Sequence, residues 1–188
     1  MKLTAKEAGA SAPASRSGHT MTFCRHYYYL FGGTVNGLKD PHLKKIGPAN
    51  DLWSLELPKK FFLWTKIELK GDVPAPRSNH VAIAYKKNTD PDNATKIFIH
   101  GGMNESGKLE DCYFLDAPEG KFQKLNSNNA GPSPRANHTA IVVDDNIYMF
   151  GGNGGRFFEN SVFKDLWILD VDKMIWSELK NDCNFFIL

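Results

Sequence analysis

The chain has 188 residues, and its 23 Lys plus Arg nearly balance 21 Asp plus Glu, leaving a net charge of +2. So mild a charge offers no concentrated basic face for nucleic acid or for an anionic membrane surface. No stretch approaches the ~18 consecutive apolar residues of a membrane helix, and the opening MKLTAKEAGASAPASRSGH lacks the apolar core of a signal peptide.

Taken in chain order, residues 1–12 read as an outer strand and linker. Leu3 stands 13 residues before Arg16, just as Trp64 stands 13 before Arg77 and Phe122 stands 13 before Arg135. Three segments then repeat. Residues 13–70 contain PASRSGHTMTFC, YYYLFGG, NDLWSLEL and FFLWTKIEL. Residues 71–128 contain PAPRSNHVAIAY, KIFIHGG, LEDCYFLDA and GKFQKL. Residues 129–181 contain PSPRANHTAIVV, NIYMFGG, FKDLWILDV and KMIWSEL. The tail, 182–188, replaces the expected Pro-containing linker with a run ending Phe185-Phe186-Ile187-Leu188, so the chain stops about where a fourth Arg is due.

The spacing fixes the phase. Arg16, Arg77 and Arg135 are separated by 61 and 58 residues, and His19, His80 and His138 repeat those intervals. Asp51, Asp111 and Asp165 recur in step, as do the pairs Gly32-Gly33, Gly101-Gly102 and Gly151-Gly152. Trp53 and Trp167 follow the Asp in two units, and Trp64 and Trp176 mark the last strand of the same two. Each unit reads as four short strands, in the third unit Thr139–Val143, Ile147–Phe150, Asp165–Asp170 and Met174–Leu179. The first two strands are almost continuously apolar, as strands buried on both faces are. Asp144-Asp145-Asn146 is the turn between them. The fourth alternates, as an outer strand does. Such a unit cannot be stable alone and must stack on copies of itself, and radial stacking gives a propeller.

The double glycine after an apolar strand, the NDLWSLEL and KDLWILD strands and the outer Trp resemble kelch repeats. The PxPRxxH lead-in is similar to the kelch subgroup seen in host cell factor and the kelch-domain phosphatases. The resemblance covers nearly the whole chain and implies a β-propeller built for protein–protein binding. Repeat two departs from it, with Tyr113 and Phe122 where the others carry Trp and with His100 before its glycine pair. The expected fold is therefore all-β, a β-propeller segment of about three four-stranded kelch blades. Its ring is incomplete unless the chain dimerises or belongs to a longer one.

Recurrence also sorts the candidate site residues. Three histidines meeting at a central channel would be metal ligands; alternatively, Arg and His orient the start of each inner strand, with Arg paired to the repeated Asp. A catalytic group is needed once per site, whereas an architectural group recurs in every blade, so the second reading is preferred and no catalytic residue, metal or cofactor is expected. The glycine pairs lack the helix that a phosphate loop needs and fit strand ends with positive φ and a close backbone neighbour. The repeat-locked tryptophans fit inter-blade packing better than carbohydrate stacking. Cys24, Cys112 and Cys183 form no CxxC or CxxH spacing, which argues against zinc and for free thiols in the cytoplasm or nucleus.

Partner binding is expected on the connections between second and third strands, Thr34–Asn50, Met103–Leu109 and Asn153–Phe163, because variable loops on a rigid scaffold are the usual recognition surface. The first carries Lys39, His42, Lys44 and Lys45, and the third Arg156, Phe157 and Phe158. The long insertion Lys86–Lys96 lies on the opposite face. The functional reading is a non-enzymatic scaffold for a protein partner, with self-association through the open blade faces. Two alternatives stand beside it: the regulatory kelch portion of a larger enzyme such as a phosphatase, and a propeller enzyme whose site is completed by missing blades.

Overall fold

The computed structural model describes residues 12–36, 46–56, 63–87, 95–155 and 161–180. Among them there is no helix, and three four-stranded antiparallel sheets follow one another along the chain. The first contains β1 (Thr20–Cys24), β2 (Tyr27–Phe31), β3 (Leu52–Glu56) and β4 (Leu63–Ile67). The second contains β5 (Val81–Tyr85), β6 (Lys96–His100), β7 (Cys112–Asp116) and β8 (Lys121–Leu125). The third contains β9 (Thr139–Val143), β10 (Asn146–Phe150), β11 (Leu166–Asp170) and β12 (Ile175–Leu179). In each sheet every strand pairs with its predecessor in sequence, the up-and-down order of a propeller blade. Asp144 and Asp145, with φ of 47° and 64°, turn β9 into β10, the positive-φ pair that a type I′ hairpin requires.

The sheets stack face to face in chain order. One core cluster joins Cys24, Tyr29, Phe31 and Leu52 of the first sheet to Ile97, Ile99, Leu115 and Phe122 of the second. Another joins Tyr85, Phe98 and Phe114 of the second to Ile147, Met149, Leu169 and Trp176 of the third. The middle sheet is thus buried on both faces, which is why the centre of β6, Ile97-Phe98-Ile99, is apolar and buried without alternation. In β10 the same kind of sequence alternates, with Met149 fully buried and Phe150 52% exposed, because nothing among the described residues covers the far face of the third sheet. Two of the three outer strands bury their aromatic ring, Phe122 in β8 and Trp176 in β12, while Trp64 in β4 is half-buried.

Two features exceed the expected loops and linkers. The connections between second and third strands contain two- or three-residue strands of their own. The linker residues Lys70–Gly71 add in parallel to β8, tying the first repeat to the outer edge of the second. The expected outer strand before residue 12, most of the 86–96 insertion and the divergent tail lie outside the described residues.

Candidate functional site

The candidate site is the face formed by the three connections between second and third strands, and its construction begins at their roots. Each connection starts at the glycine pair and ends at the repeated Asp. One arginine ties both ends together. Arg16 forks onto the Asp51 carboxylate at 2.6 and 2.9 Å, Arg77 onto Asp111 at 2.8 and 2.9 Å, and Arg135 onto Asp165 at 2.8 and 2.7 Å. The same guanidinium donates to the carbonyl of the first glycine, at 2.8 Å to Gly32, 3.0 Å to Gly101 and 2.9 Å to Gly151. Its Nε donates two residues back, to Ala14, Ala75 and Ser133. A planar fork with several fixed donors suits this task better than an ammonium.

A second donor completes each carboxylate. The indole N–H of Trp53 reaches Asp51 at 2.6 Å and that of Trp167 reaches Asp165 at 2.7 Å, while in the second unit the Tyr113 hydroxyl reaches Asp111 at 2.9 Å. The Tyr for Trp exchange therefore keeps a hydrogen-bond donor as well as an aromatic ring. Burial raises the carboxyls of Asp51 and Asp111, but the bonds from Arg and from Trp53 or Tyr113 outweigh it, and both sit below the ordinary value. For Asp165 the Arg135 bond is itself the largest influence and lowers it. The guanidiniums of Arg77 and Arg135 also cover the rings of Tyr113 and Phe163, at 5.3 and 4.4 Å.

Above these roots the connections rise as short hairpins, Thr34–Asn36 with Ile46–Pro48, Met103–Asn104 with Gly107–Lys108, and Asn153–Gly154 with Ser161–Val162. The lead-in residue after each Arg braces its own hairpin. Ser78 exchanges backbone bonds with Met103 at 2.9 and 2.8 Å, and Ala136 with Asn153 at 3.0 and 2.8 Å; Ser17 pairs with Thr34. Neighbouring hairpins touch where Lys108 donates from Nζ to the Gly154 carbonyl at 3.2 Å. The arms expose two β-branched residues, Ile46 at 64% and Val162 at 83%. Neither was singled out from sequence, although Ile46, an isolated apolar β-branched residue in a basic and polar connection, was a readable signal. The tips carrying Lys39, His42, Lys44, Lys45, Arg156, Phe157 and Phe158 lie outside the described residues.

Two of the three repeated histidines, His80 and His138, serve the contacts between sheets. His80 Nε2 pairs with Thr20 Oγ1 of the preceding sheet at 2.8 Å, and His138 Nε2 with His100 Nδ1 at 3.0 Å. Each thus spends a ring nitrogen on a different neighbour, and among the described residues no group of three or more His, Cys, Asp or Glu is placed to hold a metal ion. Trp176 packs across the sheet boundary, with its ring 5.7 Å from that of His100. Burial raises the Cys24 thiol and pushes the Tyr29 phenol up to about 12, so both stay protonated near neutral pH. Among the described residues no helix is long and apolar enough to cross a membrane.

Comparison with known proteins agrees with this geometry. The family pattern of the KLHDC2/KLHL20/DRC7 Kelch-repeats domain matches residues 63–184. Human host cell factor 2 is 31% identical over 182 residues, covering 90% of this chain but 23% of its own length. Human host cell factor 1 is 34% identical over 143 residues, 74% of this chain and 7% of its own. The flagellar outer-arm dynein alpha chain of Chlamydomonas reinhardtii is 29% identical over 164 residues, 86% of this chain and 3% of its own. The chain thus spans less than a quarter of the length of these relatives. In backbone it superposes on a chain in the cryo-EM structure of RAG in complex with one melted and one unmelted RSS, with a TM-score of 0.69, 14% identity, and coverage of 93% of this chain and 54% of that one. The in-phase Arg, Gly-Gly, Asp and Trp positions, the stacked four-stranded sheets and these matches together show that the chain belongs to the kelch-repeat family.

Proposed function

We propose that this chain is a non-enzymatic protein-binding scaffold of the cytoplasm or nucleus, with modules at 13–70, 71–128 and 129–181, that captures a partner on its hairpin face. The carrying observation is the division of labour in the repeats. Three identical Arg–Asp clamps fix the roots, while the hairpins above them differ in length and chemistry. Rigid roots lower the ordering cost of binding, and the variable arms supply recognition. Ile46 and Val162 add apolar contact area to the basic and aromatic tips at Lys39, Lys44, Lys45, Arg156, Phe157 and Phe158, which together fit an acidic or mixed-charge protein segment. The repeated Arg and Asp, with His80 and His138, are consumed in fixing the fold, which favours binding over chemistry.

The test is affinity capture with the 188-residue chain and its Lys39→Glu/Lys44→Glu/Lys45→Glu variant, with the melting profile as control. Partners that bind the parent should bind the variant at least tenfold more weakly at an unchanged melting temperature. Capture of the same partners at equal strength would remove this face from consideration.

The open sheet faces support self-association as a second binding activity. They expose Met21 at 46% and Phe23 at 54% on the first sheet, with Ile141 at 60%, Phe150 at 52% and Leu179 at 47% on the third. An apolar sheet face of this kind is a protein-contact surface.

A further inference from the structure

The two internal interfaces between sheets use one set of contacts twice. At the first, Gly33 N–H donates to Arg77 C=O at 2.9 Å, Arg77 N–H to Ala49 C=O at 3.0 Å, and Asn79 N–H to Gly18 C=O at 2.7 Å. At the second, Gly102 N–H donates to Arg135 C=O at 2.9 Å, Arg135 N–H to Leu109 C=O at 3.0 Å, and Asn137 N–H to Asn79 C=O at 2.9 Å. The third sheet presents the same positions again as Gly152 N–H, Phe163 C=O and Asn137 C=O. Among the described residues no backbone hydrogen bond is made to any of the three. The complementary set, Arg16 C=O, Arg16 N–H and Gly18 N–H, belongs to the lead-in of the first sheet.

The side chains carry the same message. At the first interface His80 bonds Thr20 and its ring meets Phe31 edge-on at 5.4 Å. The second sheet has Val81 where the first has Thr20, and His100 where the first has Phe31. The incoming His138 bonds His100 instead. The third sheet reverts to Thr139 and Phe150, the pair that receives a lead-in histidine at the first interface. The lead-in histidine of the first sheet, His19, is exposed. The glycines agree. A Cβ on Gly32 would lie 2.6 Å from the Arg77 carbonyl and one on Gly101 2.7 Å from that of Arg135, whereas at Gly151 the nearest atom is the Phe163 carbonyl at 3.3 Å. Gly151 keeps room for an incoming arginine carbonyl.

We propose that the open face of the third sheet receives the first sheet of a second copy of this chain, and reciprocally, so that two chains close head to tail into a six-sheet ring. The proposal rests on the self-association reading and gives it a geometry. In it His19 of each copy bonds Thr139 of the other and packs on Phe150, and Gly18 donates to the other copy's Asn137 carbonyl. Six sheets fall within the range of about four to eight found in propellers. Two-fold closure uses both open faces and leaves none to propagate a filament.

Sedimentation of the 188-residue chain, combined with directed cross-linking, tests this. At the first interface Thr22 Oγ1 donates to the Ala82 carbonyl at 3.1 Å, and those two positions correspond to Ile141 and Met21. A chain carrying both Met21→Cys and Ile141→Cys, with Cys183→Ser to remove a competing thiol, should sediment as a dimer and oxidise to a covalent dimer. Either cysteine alone should leave the chains unlinked. Independently, His19→Ala should raise the dimer dissociation constant about tenfold while His26→Ala leaves it unchanged; this second readout holds even if the paired cysteines disturb folding. A monomeric chain would overturn both self-association and closure. A dimer insensitive to His19→Ala, a dimer cross-linked by one cysteine alone, or a growing polymer would leave self-association standing and overturn head-to-tail closure.

Discussion

Three histidines buried between sheets make the stability of the stack depend on pH. His100 is 0% exposed, and His80 and His138 are each 6% exposed. Burial, helped by Arg77, holds His80 down at about 3. Burial, helped by Arg135, holds His138 at about 4. Burial, with His138 and Arg135 alongside, holds His100 well below 6.5. All three are therefore neutral in the folded chain at about pH 5.5, where an unfolded histidine is about nine-tenths protonated. The unfolded state binds more protons, so stability is complete above about pH 6.5 and falls as pH drops towards the folded values. From about pH 7.5 to about pH 5.5 each histidine removes about 1.4 kcal/mol, or about 4 kcal/mol for three, against a domain stability of about 5–15 kcal/mol. Asp51, Asp111 and Asp165 are held below the ordinary carboxylate value and stay ionised throughout this window in both states. Urea unfolding followed by tryptophan fluorescence, on the parent and on His100→Phe, measures the effect. Phe is the residue that Phe31 and Phe150 place at this position. The variant should lose about 1.4 kcal/mol less than the parent over the same range. Stability independent of pH across it, or equal losses in both proteins, would refute the reasoning.

Two further outcomes separate the parts of the scaffold. Tyr113→Phe removes the second donor to Asp111 and should cost about 1–2 kcal/mol in urea unfolding, whereas Tyr113→Trp restores a donor and should cost less; equal costs would mean that the ring alone matters. Gly101→Ala and Gly151→Ala both place a side chain at positive φ, 62° and 68°, and share about 1 kcal/mol of backbone strain. Only at Gly101 does the new Cβ press on the next sheet's arginine carbonyl, so its loss should be larger by about 1–3 kcal/mol. The pair is compared in an Ile141→Asp background, which keeps a second copy off Gly151, and equal losses would contradict close approach as the reason for the first glycine.

Much of the architecture was legible because it recurs. Four strands per unit, the outer aromatic ring and the positive-φ glycine pair each appear three times in phase, and repetition filters out chance. The pairing of Arg16 with Asp51 was legible by the same logic, since two charges of opposite sign kept one phase. The hairpin arms were not. Met103–Asn104 and Gly107–Lys108 have no run of strand formers, and Met103 is bonded on its other side by Ser78, a residue distant in sequence. The parallel addition of Lys70–Gly71 to β8 was hidden for the same reason.

The candidate site was less legible because recurrence points away from it. A residue found in every unit is held there by the stack, so function concentrates in what does not repeat. His100 shows that the rule has an exception. It breaks the pattern of its own unit, yet it is fully buried and hydrogen-bonded to His138 of the next. Its departure and that of Val81 form one exchange, made at directly paired positions of neighbouring strands: where the threonine hydroxyl is lost, the histidine ring supplies the partner. Comparing each residue with its equivalents shows two unrelated deviations, whereas the contacts of the following sheet show a single compensated change. A non-repeating residue is therefore a candidate for function only after its neighbour across the stack has been considered. Ile46 and Val162 pass that screen: both stand exposed on hairpin arms whose roots are clamped, where a partner rather than another blade can cover them.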